Sequence, residues 1–158
     1  MAHIITGIVA STLTFKALGP IFGEDKPVML AQGMAFIPLD DQNLDEILGH
    51  TSEETIATFQ YLTPALNAFL RSASRSGCIA YIETEYHGGQ GFQAAAVYDR
   101  SAVVLEPEMA EEDVINRALN LLGVRIDKRQ HDAFDAIRLG EYRSNQDFRI
   151  EASRPAAG

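Results

Sequence analysis

The first part of the chain alternates between apolar runs and breakers, a pattern that predicts short strands. His3–Ala10 is apolar and β-branched, and Thr12–Leu18 alternates weakly before a stretch rich in glycine and proline, so both segments are expected to be strands. Val28–Leu39 is largely apolar, and Gly33 and Pro38 within it suit a strand with a bulge or a bend. Three strands are therefore expected in this region.

The clearest strand pattern lies in the middle of the chain, where two apolar runs flank a glycine-rich turn. Ile79–Val97 reads IAYIETEYHGGQGFQAAAV, which predicts a hairpin with its turn at His87–Gly91. Ala102–Glu106 follows as a third strand, and Pro107 is expected to end it. The segment thus predicts a β-meander around residues 79–106.

Helical spacing of apolar residues recurs between and after these strands. Each predicted helix combines a polar or acidic start with a helix-stopping residue at its end. The predicted helices are residues 44–48 ended by Gly49, Ser52–Leu62, Pro64–Ala73 capped by Thr63, Glu111–Leu122 ended by Gly123, and a short helix within Asp127–Phe148 before a turn at Gly140. The apolar stripe on the second and third of them is expected in the core: Phe59, Leu62, Leu66, Phe69 and Leu70.

These elements predict one α+β domain, in which an antiparallel sheet packs against several helices. The length of 158 residues and the 46% hydrophobic composition are sufficient for one substantial core. No internal repeat or linker divides the chain. The domain is expected over residues 1–153, with residues 154–158 as a flexible tail.

The acidic balance of the chain limits its partners. The net charge is −9 and the pI is about 4.8, whereas phosphate binding needs clustered lysine and arginine, so nucleic acid is not expected as a partner. A basic protein suits this charge better, although a modest negative charge also serves solubility alone.

The compartment expected from the sequence is the cytoplasm. The apolar N-terminal stretch has no lysine or arginine before Lys16 and fits a secretory signal poorly. No apolar run approaches the length needed to span a membrane. The lone Cys78 cannot form an internal disulfide and suits a small buried side chain in a reducing compartment.

Three residues on one face of the first hairpin strand are the first candidate for chemistry. Glu83, Glu85 and His87 alternate with residues that face the other way. Carboxylates and an imidazole on one face can bind a divalent metal, or can raise the pKa of one acid beside another. A half-solvated antiparallel sheet explains the same pattern.

Two further segments carry candidate residues. The glycines of His87–Gly91 permit positive φ, but no phosphate-loop fingerprint accompanies them, and a tight hairpin turn is the better interpretation. His131 and Asp135 are four residues apart, a spacing that suits a metal pair or a His–Asp couple on a helix and also suits a solvated charged helix. No nucleophile signature surrounds Cys78 or the serines.

A resemblance adds to this interpretation. The segments ETEYHGGQGFQAAAVY, NRALNLLGV and DAFDAIRLGEYRSNQDF resemble a family of small uncharacterised bacterial proteins of similar length, over roughly residues 63–148. The family pattern has an acidic turn ending in Gly-Gly, a Gln-Ala-Ala-Val strand and a terminal Asp-x-Phe-Asp…Leu-Gly segment. The matching residues here are Glu85-Tyr86, Gly88-Gly89, Gln93–Val97 and Asp132–Gly140. His87 stands where the family has an aromatic residue, which weakens the metal hypothesis.

The resemblance implies no activity for individual residues, but the size and acidity of these proteins are similar to those of immunity proteins that neutralise bacterial toxins. We therefore expect a protein-binding module of the immunity type, with no cofactor and no catalytic residue. The expected partner-binding residues are Glu83, Glu85, Tyr86 and Gln90, joined or braced by Asp132, Asp135 and Arg143.

Two alternatives stay open at this point. One is a small metal-dependent hydrolase whose ligands are Glu83, Glu85, His87 and His131. The other is a regulatory or structural module without a small-molecule site. The identity of the partner and the oligomeric state do not follow from the sequence.

Overall fold

The computed structural model describes residues 2–19, 26–40, 44–45, 48, 54–56 and 59–153. These residues form six strands and five helices. In chain order they are β1 (Ala2–Ser11), α1 (Thr12–Leu18), β2 (Val28–Met29), β3 (Met34–Pro38), α2 (Pro64–Ala73), β4 (Ile79–His87), β5 (Gln90–Asp99), β6 (Ala102–Ala110), α3 (Val114–Leu121), α4 (Ala133–Ala136) and α5 (Asn145–Ser153).

The strands form one antiparallel sheet in the order β2-β3-β1-β4-β5-β6. The hairpin of β4 and β5 pairs from Ile79 opposite Tyr98 to His87 opposite Gln90. Gly88 and Gly89 make its turn at φ of 61° and 82°, where glycine avoids the strain that a side chain causes. The α+β fold and the meander expected from the sequence are confirmed.

Both faces of the sheet are buried. Ala80 and Ile82 face a core that includes apolar residues of α3, α4 and α5. Ile79 and Tyr81 face a second core that includes α2 and the preceding Phe59. Alternation along β4 therefore separates two covered faces, where the sequence suggested one solvated face.

The segment Thr12–Leu18 is a helix, so the expectation of a second early strand is wrong. The side chain of Ser11 accepts a hydrogen bond from the backbone N of Thr14 at 3.1 Å, which caps the first turn. Phe15 is buried in the second core, and Gly19 ends the helix at a φ of 71°. The cap provided by Ser11 therefore favours a helix over the strand that the weak alternation of Thr12–Leu18 predicts.

The segment Val28–Leu39 forms two strands, β2 and β3, in place of one bent strand. A single 3₁₀ turn at Ala31–Gly33 reverses the chain, with Gln32 and Gly33 at φ of 59° and 71°. The side chain of Gln32 donates to the carbonyl of Arg125 at 2.6 Å and accepts from its backbone N at 2.9 Å. The turn is thus joined to the loop that follows α3.

Pro107 does not end the third strand of the meander, because β6 continues to Ala110. The pairing with β5 shifts between Leu105 and Glu108, so Pro107 lies in a bulge of an edge strand. Proline is tolerated at such a position because no ladder hydrogen bond is required from it.

Helix α2 matches its prediction. Thr63 Oγ1 accepts from the backbone N of Leu66 at 3.1 Å, and Pro64 occupies the first turn. Four residues of the expected stripe are buried, whereas Phe69 is half-buried against the same core.

The helix expected at Ser52–Leu62 is not present in the part that the structure describes. Residues 54–56 and 59–62 are not helical; Ile56 instead donates its backbone N–H to the carbonyl of Leu62 at 2.6 Å. Phe59 and Leu62 reach the core from this loop. Residues 44, 45 and 48 are helical as expected, but Gly49 and the tail 154–158 lie outside the described residues.

The C-terminal region contains more regular structure than expected. Helix α3 is confirmed over Val114–Leu121, but Glu111–Asp113, which the prediction placed at the start of the helix, precede it. The single short helix predicted within Asp127–Phe148 becomes α4, a 3₁₀ turn at Leu139–Glu141 and α5. The ring of Phe148 in α5 lies 4.1 Å from that of Phe36 and 4.2 Å from that of Tyr142. No helix among the described residues is long and apolar enough to cross a membrane.

Candidate functional site

The carboxylate of Glu83 is buried beneath the loop that precedes α2. Its side chain is only 2% exposed and accepts three hydrogen bonds, from Gln60 N at 2.8 Å, Tyr61 N at 3.1 Å and Tyr81 Oη at 2.7 Å. Each donor belongs to the protein itself. Glu83 therefore joins the loop to the sheet and does not reach the surface where a partner would contact it.

Burial raises the pKa of both Glu83 and its hydrogen-bond donor Tyr81. It raises the pKa of Glu83, and the donated hydrogen bonds from Gln60 and Tyr81 only partly offset that effect. It also raises the pKa of Tyr81 well above its ordinary value, and the neighbouring Glu83 adds to the rise. The tyrosine hydroxyl therefore keeps its proton and serves as a donor. Two of the three hydrogen bonds to Glu83 come from backbone amides, those of Gln60 and Tyr61.

Glu85 and His87 continue along the same face to the surface. The side chain of Gln60 donates to Glu85 Oε2, and His87 Nε2 lies 3.7 Å from Glu85 Oε1. His87 is 63% exposed, so water surrounds most of its ring. Gln90, opposite His87 at the tip of the hairpin, is also exposed.

Tyr86 lies on the opposite face of β4 and connects the hairpin to the segment that follows β6. Its hydroxyl donates to the carbonyl of Glu111 at 2.5 Å and accepts from Gln93 Nε2 at 2.9 Å. Gln93 Oε1 in turn accepts from the backbone N of Ile115 at 2.7 Å. This chain of hydrogen bonds fixes the start of α3 against the hairpin.

Acidic side chains lie on both faces of one end of the sheet, where β4 meets β5. Glu85 is on the face of Glu83, and Asp132 is on the face of Tyr86. Glu111, Glu112 and Asp113 are exposed there, whereas Glu85 and Asp132 are half-buried. We refer to these five residues as the acidic end. The sequence identified Glu85 and Asp132 as candidates, but interpreted the three consecutive acids only as a helix start.

A cavity of about 160 Å³ opens beside the acidic end. Strands β1, β4 and β5 form its floor, and α3 and the start of α4 form its walls. The polar side chains that line it are His3, Thr84, Tyr86, Gln93, Asn116 and Asp132, and the apolar ones are Ile115 and Phe134. Of the residues selected from sequence, the cavity brings together Tyr86 and Asp132.

His3 is a component of the cavity that sequence reasoning missed. Its Nδ1 lies 2.9 Å from Thr84 Oγ1, and its ring packs edge-on against Phe134 at 5.5 Å between centroids. Its Nε2 is buried without a hydrogen-bond partner among the described residues. Burial and the charge of Arg143 lower the pKa of His3, although the carbonyls of Leu139 and Tyr142 oppose that shift. The ring is therefore neutral at neutral pH.

The other candidates near α4 have structural contacts. Asp132 caps α4 by accepting from the backbone N of Asp135 at 2.8 Å, and its second oxygen accepts from Asn116 Nδ2 at 3.3 Å. Asp135 accepts from the backbone N of His131 at 3.1 Å. Both His131 and Asp135 are exposed.

Arg143 braces the N-terminal strand through its backbone. Its carbonyl accepts from Ile4 N at 2.8 Å, and its own N–H donates to Asp147 Oδ2 at 2.9 Å. The guanidinium group itself is exposed. Arg143 therefore lies on the periphery of the acidic end.

The ligands named in the metal hypothesis do not come together. Glu83 and His87 lie on one face of the sheet, whereas His131 precedes Asp132 on the other. Across the described ranges, no group of three histidine, cysteine, aspartate or glutamate side chains is arranged to hold a metal ion. Cys78 is half-buried, and burial raises its pKa to about 11, so it is a thiol at neutral pH.

Comparisons with protein-family models, with curated proteins and with solved structures give no match.

Proposed function

We propose that this protein is a protein-binding module of the immunity type, an inhibitor that neutralises a basic toxin by covering its surface. The acidic end carries the proposal, because it presents exposed carboxylates from Glu111, Glu112 and Asp113 beside the hairpin tip. A concentrated negative surface accelerates encounter with a basic partner and selects against acidic ones.

The acidic end is also held in place before any partner arrives. Tyr86 holds the backbone at Glu111, and Gln93 holds the backbone at Ile115. Side chains and loops that are ordered in advance lose less conformational entropy on binding. A rigid acidic surface therefore suits tight inhibition better than a flexible acidic loop would.

The geometry favours this function over the metal-dependent hydrolase. The carboxylate of Glu83 already accepts three hydrogen bonds within the fold, and His131 lies across the sheet from Glu85 and His87. The proposed recognition surface accordingly keeps Glu85, Tyr86, Gln90 and Asp132, and adds the three exposed acids at residues 111–113.

The protein, used as an affinity bait in a lysate of its native host, is expected to capture a basic protein in stoichiometric amount. The complex should form at low salt and dissociate at moderate salt, because exposed charges are screened beyond a Debye length of about 8 Å near 0.15 M. Expression of the captured protein alone should arrest growth, and coexpression of this protein should restore it. Mass spectrometry and growth curves are the measurements.

A captured partner whose expression is harmless would contradict the inhibitor function and favour the regulatory alternative. Absence of any stoichiometric partner at low salt would contradict protein binding itself.

A further inference from the structure

The exposed acids Glu111, Glu112 and Asp113 do not line the cavity beside the acidic end. Its lining combines one carboxylate, Asp132, with hydroxyl and amide groups and with the rings of Tyr86 and Phe134. The cavity is partly open to solvent. It therefore has the character of a pocket that receives a single polar side chain.

Polar atoms of the lining can accept further hydrogen bonds from a ligand. From the residues that the structure describes, the Asp132 carboxylate accepts the two hydrogen bonds already described, whereas a carboxylate has about four acceptor sites. The hydroxyl of Tyr86 accepts one hydrogen bond, from Gln93, and its second lone pair is not used by the contacts described. These acceptors match a ligand that brings N–H donors.

The charge around the cavity favours a cation. Asp132 supplies a negative charge in the wall, and Glu111, Glu112 and Asp113 lie beside the rim. His3 does not oppose a cation, because burial lowers its pKa and leaves the ring neutral at neutral pH. The nearby cations are Arg143, whose charge acts on His3, and Arg117, whose charge interacts with Asp113 and Glu108, so the four carboxylates outnumber them. An anionic ligand would meet repulsion from each of these carboxylates.

The size and the aromatic walls favour a guanidinium group. A volume of about 160 Å³ corresponds to roughly five water molecules at about 30 Å³ each, which is enough for the planar head of an arginine and the end of its stem. Guanidinium groups stack on aromatic rings and donate several N–H bonds in one plane. Tyr86 and Phe134 provide the rings.

We propose that the cavity is the anchor pocket for one arginine side chain of the protein partner, with Asp132 as its counter-ion. The proposal rests on the proposed function, since it names the chemistry by which the acidic end recognises its partner. A central pocket filled by an arginine is a common hot spot in protein interfaces.

The test uses the isolated protein and N-acetyl-arginine N-methylamide as the probe, followed by NMR of backbone and side-chain amides. We expect saturable shifts of the side-chain amides of Gln93 and Asn116. The neutral citrulline analogue, which keeps the shape and loses the charge, should bind at least about tenfold more weakly, a difference of about 1.4 kcal/mol.

Two variants on the same segment make a matched pair. Asp132→Asn removes the charge from the cavity and keeps the helix cap, because asparagine caps as well as aspartate. Asp132→Asn should weaken arginine binding at least about tenfold. Asp135→Asn removes the charge of an exposed residue that does not line the cavity, and should change binding by less than about twofold. Thermal unfolding of both variants checks that they fold.

Equal binding of the arginine and citrulline analogues would overturn the proposal, and this comparison needs only the wild-type protein. No saturable shift at the cavity, or equal weakening in both variants, would overturn it too. The probe binds without a partner, so this test is independent of the capture experiment and the failure of one is distinguishable from the failure of the other.

Discussion

Glu83→Ala is expected to lower the free energy of unfolding by more than about 3 kcal/mol. The substitution leaves the N–H groups of Gln60 and Tyr61 and the hydroxyl of Tyr81 without the acceptor they share. Each buried donor left unsatisfied costs about 1–3 kcal/mol, and the loop that covers this face loses its main connection to β4. Urea unfolding at neutral pH measures the loss.

Glu83→Gln is the matched control, because it keeps the shape and one acceptor oxygen. It should lower the free energy of unfolding by about 1–3 kcal/mol. With the amide oxygen in place of Oε2, the N–H of Gln60 faces the amide nitrogen and loses its acceptor. A cost for Glu83→Ala no greater than that for Glu83→Gln would contradict the role of the acceptor oxygen that glutamine retains.

The pH dependence of the stability of the wild type, compared with that of Glu83→Gln, follows from the raised pKa of Glu83. A carboxyl group whose pKa is higher in the folded state than its ordinary 4.5 binds a proton more readily when folded. Its contribution to stability is therefore complete below pH 4.5 and declines as the pH rises through the folded pKa. The stability difference between wild type and Glu83→Gln should shrink over that window, and a difference that grows instead would contradict the dominance of burial.

Gly7→Ala is expected to destabilise the protein by at least about 3 kcal/mol, the upper part of the range for overpacked cores. Gly7 lies within β1, paired with Pro38 on one side and Ile82 on the other. A β carbon there would lie 2.2 Å from the carbonyl oxygen of Ile37 and 2.5 Å from the Cζ atom of Phe36. Backbone in a paired strand cannot move away without breaking the ladder. Thermal or urea unfolding measures the effect.

Gly89→Ala is the control for Gly7→Ala, because it introduces strain from a positive φ without a steric clash. Gly89 has a φ of 82°, and, apart from its two chain neighbours, no described residue has an atom within 4 Å of the position its β carbon would take. The expected cost is therefore only about 1–2 kcal/mol, from left-handed backbone strain. If Gly7→Ala cost no more than Gly89→Ala, the close approach of β1 and β3 at Gly7 would be contradicted.

The elements that could be predicted from the sequence are those with local signals. The hairpin follows from alternation around two adjacent glycines, and α2 follows from Thr63 as cap with Pro64 in the first turn. The same kind of signal was overlooked at Ser11, whose capping hydrogen bond makes Thr12–Leu18 a helix.

The errors at the candidate site arise from contacts between distant parts of the chain. Alternation correctly separates Glu83 from Tyr86, but it cannot show that Gln60 and Tyr61 cover Glu83. Likewise, His3 enters the cavity only because β1 lies beside β4. Periodicity predicts which side chains share a face, whereas burial of that face depends on the whole fold.

The most direct test of the proposed function is the dissociation constant of the complex with the captured partner, measured for two double variants of equal charge. Glu111→Gln with Glu112→Gln neutralises two acids of the acidic end. Asp99→Asn with Asp127→Asn neutralises two acids outside it, at the last residue of β5 and in the loop after α3. We predict at least about tenfold weaker binding for the first double variant at low salt, and a change within about twofold for the second. Equal weakening in both would show that only net charge matters, and no weakening in the first would contradict the acidic end as the binding surface.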